Sequence, residues 1–307
     1  MGTVLDVRDL TVELRRKGRS AAPFLKGISF SVGADDIFCL VGESGSGKSL
    51  TALTLFNALP EGFRLLRGSI VLNDEEIAGT PRGRERMAYV FQDPSSALNP
   101  VFTVGQQLGS VARVRGKAGK EEILKVLRAV AIPDPRERLK AFPHEFSGGM
   151  QQRLVVSMAL LTRPVLLVAD EPTTALDLTV QDKVLRLLKD IRDQGTAILL
   201  ITHDFGVVAD TATRVGVMYA GYLVETASAP DLFAKPLHPY TRLLLGARPS
   251  QGFKPIPGEV PSLLDPPPGC PFHPRCPHAM PKCTEAFPPA SLRPGREVSC
   301  HLYDAAP

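Results

Sequence analysis

The sequence predicts an α/β fold with a largely parallel sheet, followed by a different kind of segment at the carboxyl end. Short apolar, β-branched runs alternate with helical patterns over the first 229 residues. Between residues 93 and 164 the strand signals vanish and periodic apolar stretches suggest a helical insertion. From Pro230 onward lie 18 of the 28 prolines, which predicts mostly loops there.

Individual elements follow from local patterns. Buried strands are predicted at residues 37–41, 87–91, 165–169, 197–202 and 215–219. Helices are predicted at residues 50–59, 104–114, 121–130 and 151–161. An amino-terminal strand is predicted at residues 10–14, and the basic cluster of Arg15, Arg16, Lys17 and Arg19 is interpreted as a solvated hairpin tip.

Composition bounds the class of protein. At about 150 residues per domain, 307 residues suggest about two domains. The net charge of +4 is too small and dispersed to indicate a nucleic-acid partner. No apolar run reaches the length of roughly 18 residues that a spanning helix needs, and Asp6 stands where a signal peptide would have its apolar core, so a cytoplasmic protein is expected. Disulfides are then not expected among the five cysteines.

Residues 42–49 read GESGSGKS and match the phosphate-binding pattern G-x-x-x-x-G-K-[ST] at every fixed position. The predicted strand before it and helix after it favour a phosphate cradle over a turn that merely connects the two. Backbone N–H groups and the helix N-terminus would bind the phosphates, Lys48 would add a positive charge, and Ser49 would coordinate Mg²⁺. The nucleotide-binding candidates are Gly42, Ser44, Gly45, Gly47, Lys48 and Ser49.

Asp170 and Glu171 follow an apolar strand, at the sheet edge where ligands of α/β proteins collect. Asp170 is predicted to hold Mg²⁺. Glu171 is predicted to orient or deprotonate the water that attacks the γ-phosphate. Alone, such a pair is often only a polar strand end, but a phosphate cradle about 120 residues upstream favours the catalytic interpretation.

Residues 146–153, FSGGMQQR, lie between the cradle and the carboxylates and resemble the signature sequence of ATP-binding-cassette (ABC) ATPases. Ser147, Gly148 and Gly149 precede a helical pattern and would form a second anion site at its N-terminus. The resemblance also implies roles for three further segments. Gln92 matches the Q-loop and would bind Mg²⁺ or water, residues 175–177 match the D-loop, and His203 matches the switch histidine that contacts the γ-phosphate.

The ABC resemblance covers about residues 3–230 and implies a P-loop NTPase cassette: a RecA-like core, an antiparallel β subdomain and a helical subdomain inserted at about residues 93–164. It also implies that two cassettes pack head to tail, so that ATP joins one cradle to the other subunit's signature. Many cassettes have, in the amino-terminal strand, an aromatic residue that stacks on adenine. Leu14 stands at that position in this sequence, and the nearby Phe24 could stack on adenine instead.

The segment 231–307 narrows the family. Residues 237–242, LHPYTR, resemble the extension of ATPases from oligopeptide, dipeptide and nickel uptake systems. Cys270, Cys276, Cys283 and Cys300 follow with C-x5-C-x6-C-x16-C spacing, which resembles the cysteine tail of the same family and implies a [4Fe-4S] cluster, with zinc or free thiols as alternatives. Among nearby residues, His273, His278 and His301 are expected to be exposed, whereas Cys39 is expected in the core.

These features predict the ATPase subunit of a peptide importer at the cytoplasmic face of the membrane. Expected partners are two separate membrane permease subunits, a second, similar ATPase, an extracytoplasmic solute-binding protein and no nucleic acid. Nickel and glutathione remain alternative solutes. A soluble ABC ATPase acting on DNA or the ribosome is a rival function, but such proteins usually carry insertions or paired cassettes that are not recognised here. A regulatory module that binds ATP without turnover is opposed by Lys48, Asp170, Glu171 and His203.

Overall fold

The computed structural model describes residues 2–15, 21–80, 83–114, 119–174, 177–247 and 255–304. The described strands are, in chain order, β1 (Thr3–Leu14), β2 (Ala22–Gly33), β3 (Ile37–Val41), β4 (Phe63–Leu72), β5 (Glu75–Glu76), β6 (Met87–Val90), β7 (Leu166–Asp170), β8 (Ala197–Ile201), β9 (Arg214–Tyr219), β10 (Tyr222–Ser228), β11 (Ala290–Arg293) and β12 (Arg296–Ser299).

The α-helices are α1 (Lys48–Leu55), α2 (Val104–Val114), α3 (Lys120–Ala129), α4 (Pro135–Arg138), α5 (Gly148–Leu161), α6 (Leu178–Asp193), α7 (Phe205–Thr211), α8 (Ala229–Ala234), α9 (Pro239–Gly246) and α10 (Lys282–Glu285). None of the helices in the described ranges combines the length and the apolar character needed to cross a membrane. The chain divides into two units, which are described separately.

The first unit contains Met1–Val4, Gly33–Asp35 and Arg82–Leu200. Its strands lie in the order β8-β7-β6, and β6 runs parallel to β7 with Val90 opposite Ala169. Every residue of β7 and of β8 is buried, which explains why both are continuous apolar runs. Helices α2, α3, α4 and α5 occupy the segment predicted to be a helical insertion, and α5 packs against α2, α3 and β6.

The second unit contains Leu5–Val32, Asp36–Pro81 and Ile201–Pro307. Strands β2-β1-β4-β5 form one sheet, in which β1 and β4 are antiparallel with Leu5 opposite Leu72. The other strands lie in the order β11-β12-β10-β9-β3, where β3 and β9 are parallel and the remaining pairs are antiparallel. The four-stranded sheet β2-β1-β4-β5, with antiparallel β1–β4 and β4–β5 pairs, corresponds to the antiparallel β subdomain predicted from the family resemblance.

Most predicted elements are present with shifted ends. Helix α1 begins at Lys48 and ends at Leu55, four residues before the predicted end, because Asn57 adopts a left-handed conformation with φ of 49°. Helix α5 begins at Gly148 rather than at residue 151, with Ser147 as its N-cap. Both signature glycines therefore lie inside the helix.

The segment after residue 230 is more regular than predicted. The prediction of loops there is corrected by helices α8, α9 and α10 and by strands β11 and β12. Strand β12 pairs with β10, with Glu225 opposite Val298, so the extension continues the sheet of the second unit. This strand was missed because its four residues, Arg-Glu-Val-Ser, carry no apolar run.

Candidate functional site

The cradle follows β3 in the second unit, where strand, loop and helix succeed one another as predicted. Gly42 and Gly47 adopt φ of 152° and 106°. A Cβ on Gly42 would lie 2.2 Å from the carbonyl oxygen of Met218, and one on Gly47 would lie 2.7 Å from a methyl of Leu25. Backbone conformation and lack of space both require glycine at these two positions.

Lys48 is only 6% exposed, and its ammonium lies over the loop itself. Its Nζ donates to the carbonyl oxygens of Gly42 at 2.8 Å and of Glu43 at 3.0 Å. Ser44, Gly45 and Ser49 are exposed on the same loop and first helical turn. The cradle thus presents a positive charge, an exposed hydroxyl and a helix N-terminus at one place, an arrangement suited to phosphate and to a hard cation.

The two carboxylates lie at the end of β7 in the first unit. Asp170 is 6% exposed, and its Oδ2 accepts a hydrogen bond from the Tyr89 hydroxyl at 2.8 Å. Burial and the neighbouring Asp170 charge both raise the pKa of Tyr89, so this hydroxyl stays protonated and donates. Tyr89 was not predicted, because it comes from β6, 81 residues earlier in the chain.

Glu171 and Gln92, both predicted as site residues, are brought together. The Gln92 side-chain amide donates to Glu171 Oε2 at 3.2 Å, and the Thr174 hydroxyl donates to the same oxygen at 2.8 Å. The backbone of Glu171 adopts φ of 46°, a conformation that costs a non-glycine residue about 1–2 kcal/mol. Two hydrogen bonds and a strained backbone therefore aim this carboxylate.

The signature lies at the start of α5, also in the first unit. Ser147 is the N-cap, and Ser147 and Gly148 are exposed while Gly149 is half-buried. A Cβ on Gly148 would meet nothing within 4 Å, so the space in front of this helix end is open. Phe146, the first residue of the signature segment, is buried, with the Arg138 guanidinium 5.4 Å from its ring centre. It anchors the loop beneath the exposed amides.

The remaining predicted residues occupy several places. His203 is exposed between β8 and α7. In the D-loop, Ala175 and Leu176 lie outside the described residues, and Asp177 caps α6 by accepting from the Val180 N–H at 3.0 Å. Phe24 is half-buried and packs edge-on against Phe63, with ring centres 5.1 Å apart. Of the basic cluster, Arg16, Lys17 and Arg19 also lie outside the described residues.

The four cysteines of the extension line one cavity of about 20 Å³ in the second unit. Three of them are buried and Cys276 is half-buried, and all are free thiols. Burial, together with the nearby charges of the other three thiolates, raises the pKa of Cys270 to about 12. Among the described side chains, no three His, Cys, Asp or Glu residues are arranged to hold a metal ion.

Three histidines of the extension differ from expectation. His273, predicted to be exposed, is half-buried, with its Nδ1 2.9 Å from the Cys270 carbonyl oxygen. His301, predicted to be exposed, is 8% exposed, with its ring nitrogens at hydrogen-bond distance from Asp304 Oδ2 and the Ala286 carbonyl oxygen. His238 was not predicted to be part of a site. It is 1% exposed and lines the cysteine cavity; its Nδ1 accepts from the Tyr240 N–H, and its Nε2 has no hydrogen-bond partner.

The sequence profile described as "ABC transporter" matches residues 25–174. The profile described as "Oligopeptide/dipeptide transporter, C-terminal region" matches residues 224–283. The dipeptide transport ATP-binding protein DppD of Bacillus subtilis is 44% identical, with 99% of this chain and 96% of DppD aligned. The oligopeptide transport ATP-binding protein OppD of Salmonella typhimurium is also 44% identical, with 97% and 93% aligned.

Solved structures agree on the fold. A structure titled as an ATP-binding subunit of an ABC transporter superposes with a TM-score of 0.64 and 26% identity, covering 76% of this chain and 92% of that chain. A dimeric ATP-binding cassette bound to ADP and Pi gives a TM-score of 0.63 and 24% identity, covering 73% and 98%. The fold is that of a P-loop NTPase cassette with mixed α/β structure, as predicted.

Proposed function

Because this chain belongs to the ABC transporter ATP-binding proteins of the oligopeptide and dipeptide group, we propose that it is the ATPase subunit of an importer for dipeptides or longer peptides. The observation that carries the proposal is the near full-length similarity to peptide-transport relatives, which includes the extension as well as the cassette. We retain residues 1–230 as the proposed nucleotide-binding domain and residues 231–307 as the proposed extension.

The proposed reaction is hydrolysis of ATP to ADP and phosphate. Lys48 and the amides of the cradle bind the β- and γ-phosphates, and the amides of residues 147–149 bind the γ-phosphate of a nucleotide held by a second cassette. Glu171 accepts a proton from the attacking water, and the hydrogen bonds from Gln92 and Thr174 support this role by fixing its carboxylate. His203 contacts the γ-phosphate.

Mg²⁺ supplies charge neutralisation at the phosphates, and the oxygen donors present suit it. The exposed Ser49 hydroxyl supports a ligand role on the cradle. The buried Asp170, with one carboxylate oxygen already accepting from Tyr89, supports a ligand role at the strand end. We keep the Gln92 side chain as the third proposed magnesium ligand.

We propose two membrane permease subunits, a second, similar ATPase and an extracytoplasmic solute-binding protein as partners, at the cytoplasmic face of the membrane. An apolar surface in the first unit supports docking of a membrane subunit. Phe91, Val101 and Phe102 are 44%, 72% and 48% exposed, and they flank residues 93–100, the segment at which the family resemblance leads us to propose docking. Exposed apolar clusters of this kind commonly mark interaction surfaces. That the second ATPase is a different chain remains a proposal.

A [4Fe-4S] cluster on the four cysteines also remains our proposal, with zinc as its alternative. Two observations support it: the four thiols line one cavity, and they repel one another as thiolates, which a bound cation would relieve, although the described side chains are not arranged as metal ligands in this structure. The Nε2 of His238, which has no hydrogen-bond partner, supports it as well, because His238 lines the same cavity and could donate to a cluster sulfur. The cavity has room for about one water, so the thiols would have to move apart around a cluster.

Transport tests the main proposal. The chain is co-purified with its membrane subunits, reconstituted in proteoliposomes and supplied with ATP, and uptake of a labelled dipeptide, a labelled pentapeptide and nickel is compared. We expect uptake of at least one peptide that is lost in Lys48→Met. ATP hydrolysis accompanied by nickel uptake alone, or by no uptake, contradicts the peptide assignment.

Anaerobic purification tests the cluster. We expect iron, acid-labile sulfide and a broad absorption band near about 400 nm. Cys276→Ser should lose them, whereas Cys39→Ser, in a buried strand outside the extension, should keep them. Stoichiometric zinc, or metal-free protein, contradicts the cluster.

A further inference from the structure

Glu43 of the phosphate cradle is held on both its backbone and its side chain by the carboxyl-terminal part of the chain. Its N–H donates to the Tyr240 hydroxyl at 2.9 Å. Its carboxylate forms a bidentate pair with Arg275, with Nη1 to Oε2 at 2.8 Å and Nη2 to Oε1 at 3.1 Å. Because its carbonyl oxygen accepts from Lys48, this residue joins the extension to the charged group of the cradle.

Arg275 is built into its place. Its side chain is only 4% exposed, and its remaining donors reach the Pro257 carbonyl oxygen at 2.9 Å and the Tyr219 hydroxyl at 3.2 Å. The hydrogen bond to Glu43 raises its pKa above the ordinary value, so the guanidinium stays charged. A paired, buried arginine with every arm engaged is a rigid support rather than a surface contact.

Aromatic packing fixes the same region. Tyr219 and Tyr240 lie with ring centres 4.5 Å apart, and Phe272 lies 5.2 Å from Tyr219 and 5.3 Å from Tyr240. Tyr219 belongs to β9 and Tyr240 to α9, whereas Phe272 precedes Arg275 in the cysteine-rich segment. Three parts of the second unit are thus packed behind Glu43.

We propose that Arg275 and Tyr240 are positioning residues for nucleotide binding: by fixing Glu43 they hold the cradle in its phosphate-binding shape, so that the extension sets the affinity for ATP. The inference rests on the proposed role of the cradle. A glycine-rich loop loses conformational freedom when it closes on phosphates, and a loop held in advance loses less. Neither residue contacts the nucleotide in this proposal; both act through Glu43.

The test measures the dissociation constant of Mg²⁺ and a fluorescent N-methylanthraniloyl-ATP on the full chain assembled with its partners. We expect Arg275→Met to weaken binding by about tenfold, since small misplacements of a binding group have effects of this order or larger. Arg275→Lys should recover only part of the loss, because a lysine cannot form the bidentate pair. The KM for ATP should rise by a larger factor than kcat falls.

Arg296→Met is the matched control. Arg296 is also an arginine of the extension with little exposure, its side chain being 12% exposed, and its Nη2 pairs with Glu225 Oε1 at 3.0 Å, away from the cradle loop. If general loosening of the extension lowered affinity, both variants would weaken binding alike. We expect Arg296→Met to leave the dissociation constant within about twofold, a change near the ordinary scatter of neutral substitutions.

A double-variant cycle identifies the path. In a Glu43→Gln background, Arg275→Met should add little, because the shared contact is already lost. Equal effects in both backgrounds, an unchanged affinity in Arg275→Met, or an equal loss in Arg296→Met would overturn the proposal. If Arg275→Met does not fold, Arg275→Lys and Glu43→Gln decide in the same assay, and unchanged affinity in both overturns it. Lys48→Met distinguishes failure of this proposal from failure of the proposed role of the cradle. If Lys48→Met binds nucleotide with normal affinity, the assignment of the cradle as the nucleotide site is itself wrong.

Discussion

Replacing Glu171 by glutamine tests the proposed catalytic base with little structural disturbance. The amide has the shape of the carboxylate, and its oxygen still accepts from the Thr174 hydroxyl that now lies 2.8 Å from Oε2. The left-handed backbone at φ of 46° carries the same strain in either residue. We therefore expect the free energy of unfolding to change by less than about 0.5 kcal/mol, as for substitutions that keep contacts and burial.

Turnover should fall far more. A positioned general base contributes about 10²- to 10⁴-fold to rate, or about 3–5 kcal/mol of transition-state free energy. The assay is phosphate release at saturating Mg²⁺-ATP by the assembled transporter, with nucleotide affinity measured in parallel. Affinity should stay within about threefold, because cradle contacts do not involve this carboxylate in the proposed mechanism.

Thr174→Val is the companion variant. It removes one of the two hydrogen bonds to Glu171 Oε2 but leaves the base in place. We expect a loss in turnover of about tenfold or somewhat more, smaller than in Glu171→Gln, because the base itself is kept and a hydrogen bond to a charged group is worth about 1.5–3 kcal/mol. If Glu171→Gln hydrolyses ATP within about tenfold of the natural chain, the assignment of the base is refuted.

Three further predictions concern the scaffold. Gly221→Ala puts a methyl 2.1 Å from the Phe24 carbonyl oxygen, whereas the methyl of Gly195→Ala, also at positive φ, meets nothing within 4 Å. In urea denaturation the free energy of unfolding should fall by about 3 kcal/mol or more in Gly221→Ala and by about 1 kcal/mol in Gly195→Ala, and equal losses would contradict the steric argument. Glu225 is 1% exposed, and its carboxylate accepts hydrogen bonds from two backbone N–H groups and from a guanidinium. Glu225→Ala should therefore lower the free energy of unfolding by about 3–5 kcal/mol in the same assay, and a loss below about 1 kcal/mol would contradict this structural role. Burial lowers the pKa of Lys26 to about 8, so between pH 8 and the ordinary value of 10.5 this group holds its proton less in the folded state than in the unfolded state, and its contribution to stability grows with pH. Buried cysteines with raised pKa values act in the opposite direction over part of this range, so the measured quantity is the difference in unfolding free energy between the natural chain and Lys26→Met, which should rise by about 1–2 kcal/mol from pH 8 to pH 10.5 after allowance for partial exposure.

Local patterns predicted the strand, loop and helix that form the cradle, because these elements lie in consecutive residues. The fully buried strands β3, β7 and β8 were predicted for a similar reason, since burial on both faces leaves continuous apolar runs. Gln92 and Glu171 were each predicted separately from motifs, and the structure adds their contact. The sequence thus predicted which side chains lie at the end of β7, but not the hydrogen bonds that orient them.

Contacts between distant segments were not predictable. Tyr89 reaches Asp170 across 81 residues, and Arg275 reaches Glu43 across 232 residues. Neither Arg275 nor Tyr89 belongs to a sequence pattern that implies a partner, and no local periodicity encodes a contact between residues so far apart in the chain. The same limit explains His301, which was expected to be exposed because it lies in a proline-rich, polar stretch but is buried by packing within the extension.

The way the extension is fastened bears on its role. Its apolar periodicity is weak, and charged anchors help to hold it: Arg296 pairs with the buried Glu225, and Arg275 pairs with Glu43. Removing one partner of such a pair leaves a poorly solvated charge, so displacement of the extension is opposed steeply. The Glu43 anchor lies in the loop proposed to bind phosphate, and coupling between two sites is reciprocal in free energy. If the extension favours the phosphate-binding shape of the cradle as proposed, nucleotide binding therefore stabilises the contacts of the extension with Glu43 by the same free energy.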